Sequence, residues 1–177
     1  MRLLRNLAFY LAFYSGSLLI TAASLIALPF SVDAFRRRVR DWPRWQRWCL
    51  THLLGCEIVV EGEPLDEPVL YAIKHESFFE AIDAPRLFHL PSVFAKQELF
   101  RIPLWGRAAS AFGLVPVERN AGARALMTMI RSAKALAAEG RPLVIFPEGT
   151  RVPHGERRAL QSGLPASTRC SACRWSR

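Results

Sequence analysis

The run Val69-Leu70-Tyr71-Ala72-Ile73, followed at once by Lys74-His75-Glu76-Ser77-Phe78-Phe79-Glu80, decides how the rest of the chain is read. Five apolar residues in a row predict a buried strand, and Ala81-Ile82-Asp83 beyond them predicts helix. A histidine is thus delivered to the end of a strand just before a helix begins. Imidazole, with an unperturbed pKa near 6.5, is the side chain best suited to take a proton at neutral pH. Such a base is ordinarily held in orientation by a carboxylate on its far nitrogen.

Glu80 fits that role only if the helix starts late. Five helical positions turn roughly 140° away from the starting face, so His75 must lie on the preceding loop to fold back towards Glu80. Ser77-x-x-Glu80 has a second reading as a capping box, in which serine and glutamate satisfy backbone donors at a helix start. Asp83, one turn beyond Glu80, is a second candidate carboxylate. The spacing alone leaves these readings open.

Working outward, four more segments read as strands: Cys56–Gly62, Ser92–Lys96, Gly113–Arg119 and Pro142–Phe146. Helices are predicted around Trp105–Phe112 and over Ala121–Glu139, the latter ending at Gly140. Alternation of strands and helices predicts an α/β fold, a mixed, mostly parallel sheet flanked by helices. Ligands of such sheets bind outside the carboxyl ends of the strands. Lys96, Arg119 and Arg151 all fall at such ends, and a lysine point charge with two guanidinium forks suits a phosphate-bearing ligand. Phe146-Pro147-Glu148-Gly149-Thr150-Arg151 adds a carboxylate, a hydroxyl and a glycine that permits close backbone approach.

Charge narrows the partners. The net charge is +9, but residues 1–50 carry +6, residues 51–150 carry −2 and residues 151–177 carry +5. Basic ends around a slightly acidic middle suit an anionic membrane surface better than a nucleic-acid groove. From Asn6 to Val32 there are 27 residues without a charge, and about 20 suffice to cross a bilayer as a helix. Ser15-Gly16-Ser17 and Pro29 punctuate the run, which reads either as one tilted span or as two short helices in one leaflet. Arg36, Arg37, Arg38 and Arg40 after the run place the remainder on the cytoplasmic face. Trp42, Trp45 and Trp48, alternating with Arg44 and Arg47, predict an amphipathic interfacial helix that Gly55 stops; packing against the protein is the other reading. Cys49 and Cys56 read as core residues. Cys170-x-x-Cys173 lacks a second ligand pair, so no metal is expected.

Three of these stretches resemble, in order, motifs of the 1-acyl-glycerol-3-phosphate acyltransferases, a family of membrane glycerophospholipid acyltransferases. They are His75-x-x-x-x-Glu80, Gly113-Leu114-Val115-Pro116-Val117-Glu118-Arg119, and Phe146-Pro147-Glu148-Gly149-Thr150-Arg151. The resemblance covers residues 1 to about 162. It implies an N-terminal membrane-embedded segment (1–54), an acyltransferase domain (55–162) and an atypical tail (163–177). It further implies that His75, oriented by Glu80, is the general base on the free hydroxyl of lysophosphatidate. Lys96, Arg119 and Arg151 would hold the phosphate, with Glu148, Gly149 and Thr150 shaping the acceptor site. The donor would be an acyl-carrier-protein or coenzyme A thioester, the product phosphatidic acid, and no cofactor or metal would be needed. Two departures accompany it. The acid of the first motif is most often Asp and is Glu80 here, and the stretch from Leu164 reads as a truncated or frame-shifted terminus that leaves the sheet short. A membrane-anchored remnant that binds lipid without turnover, and an acyltransferase for another glycerolipid acceptor, are the alternatives.

Overall fold

Four short parallel strands in the order β1-β4-β2-β3 form the sheet on which the chemistry sits. The computed structural model of the chain describes residues 2–65, 68–118 and 122–161. The chain divides into two units, Met1–Pro64 with Pro85–Leu87, and Leu65–Ala84 with Phe88–Arg177.

The first unit is helical. Its α1 spans Arg2–Ala27 as one continuous helix, about 39 Å at 1.5 Å per residue. It is long and apolar enough to cross a membrane by length and composition. Ser15-Gly16-Ser17 does not interrupt it, and Ser15 Oγ donates to Leu11 O (2.6 Å) within the helix. α2 (Val32–Val39) and α3 (Asp41–Cys49) turn back along it, and α3 runs on into a π-helical turn, Leu50–Leu54, that ends at Gly55 with φ 73°. Trp42 Nε1–H donates to Ser17 Oγ (2.9 Å), Trp45 Nε1–H to Ala12 O (3.2 Å) and Arg5 Nε–H to Leu53 O (2.9 Å). Partners rise on one helix as they fall on the other, so the pair is an antiparallel hairpin. A Cβ at Gly16 would overlap the Trp45 indole. The small residues read as helix punctuation are therefore the notch that receives two tryptophans.

Cys56–Gly62, expected as a strand, is irregular. Val59 and Val60 are 68% and 52% exposed, and no strand among the described residues pairs with them. β-Branched residues favour strands only where a neighbouring strand packs on them. Cys56 is accordingly exposed rather than a core residue, whereas Cys49 is buried.

In the second unit, β1 (Leu70–Ala72), β2 (Ser92–Lys96), β3 (Val115–Val117) and β4 (Leu143–Ile145) pair only in parallel. Both faces are covered, which explains why the strands are apolar runs without alternation. On one face Leu70, Phe94, Val115 and Leu143 pack with Met129, Ala133 and Ala137, spaced by four along α6 (Gly122–Ala138). On the other, Val93 and Val144 pack with Ala84 of α4 (Phe79–Leu87), with Tyr71, Ile73 and Phe146 beside them. Pro116, which has no N–H to give a ladder, lies in the edge strand β3.

Arg141 is the buried staple at the amino end of β4. Its guanidinium donates to Leu90 O (2.9 Å), Pro91 O (3.3 Å) and Phe112 O. It thereby ties the loop before β2 to the end of α5 (Trp105–Phe112). Gly113, at φ 99°, has no room for a Cβ because Arg141 occupies that space. Arg141→Met removes the donors from these carbonyls and is expected to cost about 2–4 kcal/mol. Thermal unfolding in detergent would check this. A loss no larger than that of exposed Lys134→Met would show that the staple is dispensable.

Candidate active site

All the sequence-predicted site residues that the structure describes lie at or just beyond the carboxyl ends of β1, β2 and β4. β1 and β4 run in register, with Ala72 opposite Ile145, and Ile73 N–H extends the ladder to Ile145 O (2.9 Å). The two strands therefore release their loops side by side, one carrying Lys74–Glu80 and the other Phe146–Arg151.

His75 is fixed from three directions. Its carbonyl accepts from Val152 N–H (2.7 Å). Its ring lies on Phe146, with centroids 4.3 Å apart. Its Nδ1 faces Glu80 Oε2 at 3.5 Å. That nitrogen is buried and has no hydrogen-bond partner among the described residues. A gap of 3.5 Å is long for a hydrogen bond, and catalytic bonds often tighten only once substrate is bound. With Nδ1 turned to the carboxylate, Nε2 is the ring nitrogen that does not face it.

Glu80 bonds the backbone ahead of α4 and also faces His75. Its carboxylate accepts from Ser77 N–H (3.1 and 3.2 Å) and Glu76 N–H (3.3 Å), while Ser77 Oγ accepts from Phe79 N–H (3.0 Å). Ser77 and Glu80 thus satisfy backbone donors in the turn that leads into α4, as the residues of a capping box do at a helix start. The backbone donors clamp the carboxylate, and the clamped carboxylate presents Oε2 to the imidazole. α4 begins only at Phe79, so His75 sits on the loop, as the pairing requires. Asp83, the other candidate, is fully buried in α4; the oxygen facing the imidazole belongs to Glu80.

The turn after β4 is shaped by Gly149, at φ 67°, whose N–H donates to Phe146 O (3.0 Å). Gln161 straps it, with its N–H on Pro147 O (2.8 Å) and its Nε2 on Glu148 O (3.3 Å). A Cβ on Gly149 would press on the Gln161 side chain. Glu148 is buried, and its Oε2 has no hydrogen-bond partner among the described residues. Thr150 is half-buried beside it. The Arg151 guanidinium lies 4.3 Å over the Phe78 ring, so a cation is held beside the histidine loop by stacking. Lys96 is exposed at the end of β2, in register with Val117. Arg119 lies outside the described residues, as do Cys170, Cys173 and the tail.

A second cluster had no sequence signal. Lys74 Nζ bonds Glu76 Oε1 (2.7 Å) and Pro153 O (3.4 Å), and His154 Nδ1 meets Glu76 Oε2 (3.2 Å). These contacts fasten the histidine loop to the loop after Arg151. The hydrogen bond from Lys74 holds the Glu76 carboxyl below its usual range, with a smaller contribution from His154. Gln161 lies beyond the three motif-like stretches, and its strap across the Gly149 turn had no signal in them either. Among the described residues no group of three or more His, Cys, Asp or Glu side chains could hold a metal ion.

Comparison with known proteins places this geometry. The chain is 29% identical over 167 residues to the 1-acyl-sn-glycerol-3-phosphate acyltransferase of Pseudomonas aeruginosa, covering 90% of this chain and 64% of that protein. It is 36% identical over 129 residues to a lyso-ornithine lipid O-acyltransferase of the same organism, covering 70% of this chain and 48% of that one. The crystal structure of the 1-acyl-sn-glycerophosphate acyltransferase of Thermotoga maritima has the same fold, with a TM-score of 0.69 at 23% identity over 95% of this chain and 70% of that one. The chain spans less than two thirds of the length of these two Pseudomonas relatives. A family model described as Acyltransferase matches residues 57–169, from the irregular segment before β1 to beyond the Gln161 strap, and the chain belongs to that family.

Proposed function

We propose that this chain transfers a fatty acyl group from a thioester donor to the free hydroxyl of 1-acyl-glycerol-3-phosphate, giving phosphatidic acid. The observation that carries this reading is the meeting of His75, Glu80 and Phe146–Arg151 at one end of the sheet. His75 Nε2 takes the hydroxyl proton as the oxygen attacks the thioester carbonyl. The tetrahedral intermediate collapses, the sulfur leaves, and the imidazolium returns the proton to it as a thiol. Glu80 stabilises the transient imidazolium and holds its ring. Arg151 and Lys96, with Arg119, bind the phosphate, and Glu148, Gly149 and Thr150 shape the acceptor site. On this reading the chemistry needs no cofactor and no metal, since positioning and proton transfer carry the reaction. The donor is an acyl-carrier-protein or coenzyme A thioester, and nucleic acid is not a partner.

The hairpin supports membrane attachment within one leaflet. Trp45 bonds α1 at Ala12 and Trp42 bonds it at Ser17, so exposed Arg44 lies alongside the middle of α1. Were α1 to cross the bilayer, that arginine would sit near its centre at a cost of about 2.5–3.5 kcal/mol or more. Lying in the headgroup zone, Arg44 instead meets phosphates while Leu3, Leu7, Leu11 and Leu18 enter the acyl layer. The arginines after α1 favour the cytoplasmic leaflet.

The lyso-ornithine lipid relative supports a second reading, in which the acceptor is a different lysolipid. Membranes expressing the chain, given labelled acyl thioester with either 1-acyl-glycerol-3-phosphate or lyso-ornithine lipid, separate the two. His75→Ala is expected to lower transfer about 10²–10⁴-fold with membrane attachment unchanged; undiminished turnover would remove His75 from the chemistry. Glu80→Gln keeps one acceptor oxygen for the Glu76 and Ser77 N–H groups but loses the charge. Transfer is expected to fall at least about tenfold, or about 1.4 kcal/mol, with thermal stability nearly unchanged. Loss of stability in step with activity would make Glu80 a cap alone.

A further inference from the structure

Between β2 and α5 the chain follows a course that its own packing does not explain. The 3₁₀ turn Gln97–Arg101 leads through Ile102 and Pro103 to Leu104. Leu104 sits at φ 64°, ψ −45°, and Trp105 N–H reaches back to Pro103 O (2.7 Å). This is a γ-turn of the strained hand. Holding a leucine there costs about 1–3 kcal/mol. The turn is closed firmly, with Gly106 N–H on Ile102 O (2.9 Å), Ala108 N–H on Leu104 O (3.0 Å), and no space for a Cβ at Gly106 against Phe100 O.

Strain of this kind is ordinarily offset by burying the residue concerned. Here the opposite holds, because Leu104 is 60% exposed, Ile102 48% and Leu99 37%. Leu99 and Ile102 are three apart at the 3₁₀ turn, and Ile102 N–H bonds Leu99 O (3.2 Å), so they lie on one face. The exposed charges around them are Arg101 and Arg107 against Glu98. The aromatic residues of the segment, Phe100 and Trp105, are half-buried and packed edge to face on each other (6.1 Å).

We propose that residues 99–107 form a second membrane contact, which lays Leu99, Ile102 and Leu104 into the headgroup–acyl boundary of an anionic bilayer with Arg101 and Arg107 on its phosphates. Charge complementarity favours lipid, since the guanidinium groups outnumber the carboxylate. The composition agrees: a protein interface is usually anchored by exposed aromatic side chains, whereas aliphatic side chains ringed by arginine suit a lipid boundary. A chain already tethered through α1 gains this contact at a high effective concentration, so a small apolar area suffices. The contact is additional to the reading of His75 and does not rest on it.

The test uses the full chain, with Cys49→Ala, Cys56→Ser, Cys170→Ser and Cys173→Ser, carrying one new cysteine labelled with an environment-sensitive nitrobenzoxadiazole dye. Labels go at Leu104→Cys, at Ile102→Cys in case the strained position tolerates no change, and at exposed Lys134→Cys on α6 as control. On phosphatidylcholine vesicles containing phosphatidylglycerol, the dye at 102 or 104 is expected to shift to the blue and brighten several-fold, while the dye at 134 stays unchanged. Arg101→Gln with Arg107→Gln should reduce that gain. Emission at 102 and 104 that follows the control overturns the proposal, and a gain indifferent to phosphatidylglycerol overturns its anionic part. Because the readout is emission and not turnover, failure here is distinguishable from failure of the catalytic reading.

Discussion

The parallel ladder between β1 and β4 joins strands from opposite ends of the second unit, Ala72 against Ile145, and runs one bond further through Ile73. That last bond sets the register of everything beyond it. Because the strands are parallel, their following loops emerge on the same side, and His75 comes to rest on Phe146. An antiparallel pair would have sent the two loops to opposite ends of the sheet. The site is therefore a product of sheet direction first and of side-chain chemistry second.

Once the loops are side by side, local devices hold each in shape. The Glu80 cap is the more economical of these, since the donors that start α4 also clamp the carboxylate that faces His75. A carboxylate held by backbone N–H groups loses little rotamer freedom when it orients an imidazole, because folding has already restricted it. The longer side chain of Glu80, compared with the aspartate usual in the family motif, bonds the backbone donors and brings Oε2 within 3.5 Å of Nδ1 from the first turn of the helix. Gln161 does the corresponding work for the turn at Gly149.

Much of this was legible in the sequence, for identifiable reasons. Apolar runs announced the strands at 70–72 and 143–145, and the core Val93-Phe94-Ala95 that at 92–96, and the residues at their carboxyl ends placed His75, Lys96 and Arg151. The segment 56–62 misled because its β-branched residues satisfy a local preference, whereas a strand needs a partner that local sequence does not reveal. Distant contacts were invisible for the same reason. Arg141 gathers carbonyls from two remote loops, and Lys74–Glu76–His154 joins segments far apart in the chain. Ser15-Gly16-Ser17 left one helix or two open in the sequence, because the indoles it accommodates lie on another helix.

The separation of β1 from β4 along the chain also orders events in time. A ribosome releases the amino end first, at about 5–20 residues per second. The bonds that close the α1–α3 hairpin, Trp42 to Ser17, Trp45 to Ala12 and Arg5 to Leu53, all lie among early residues and can form while β4 is still unmade. His75 and Glu80 emerge next, without Phe146 beneath the imidazole or Val152 on its carbonyl. β4, the last of the described strands, is made after both of its neighbours in the sheet, so the loops carrying His75 and Arg151 come together only once it lies between β1 and β2.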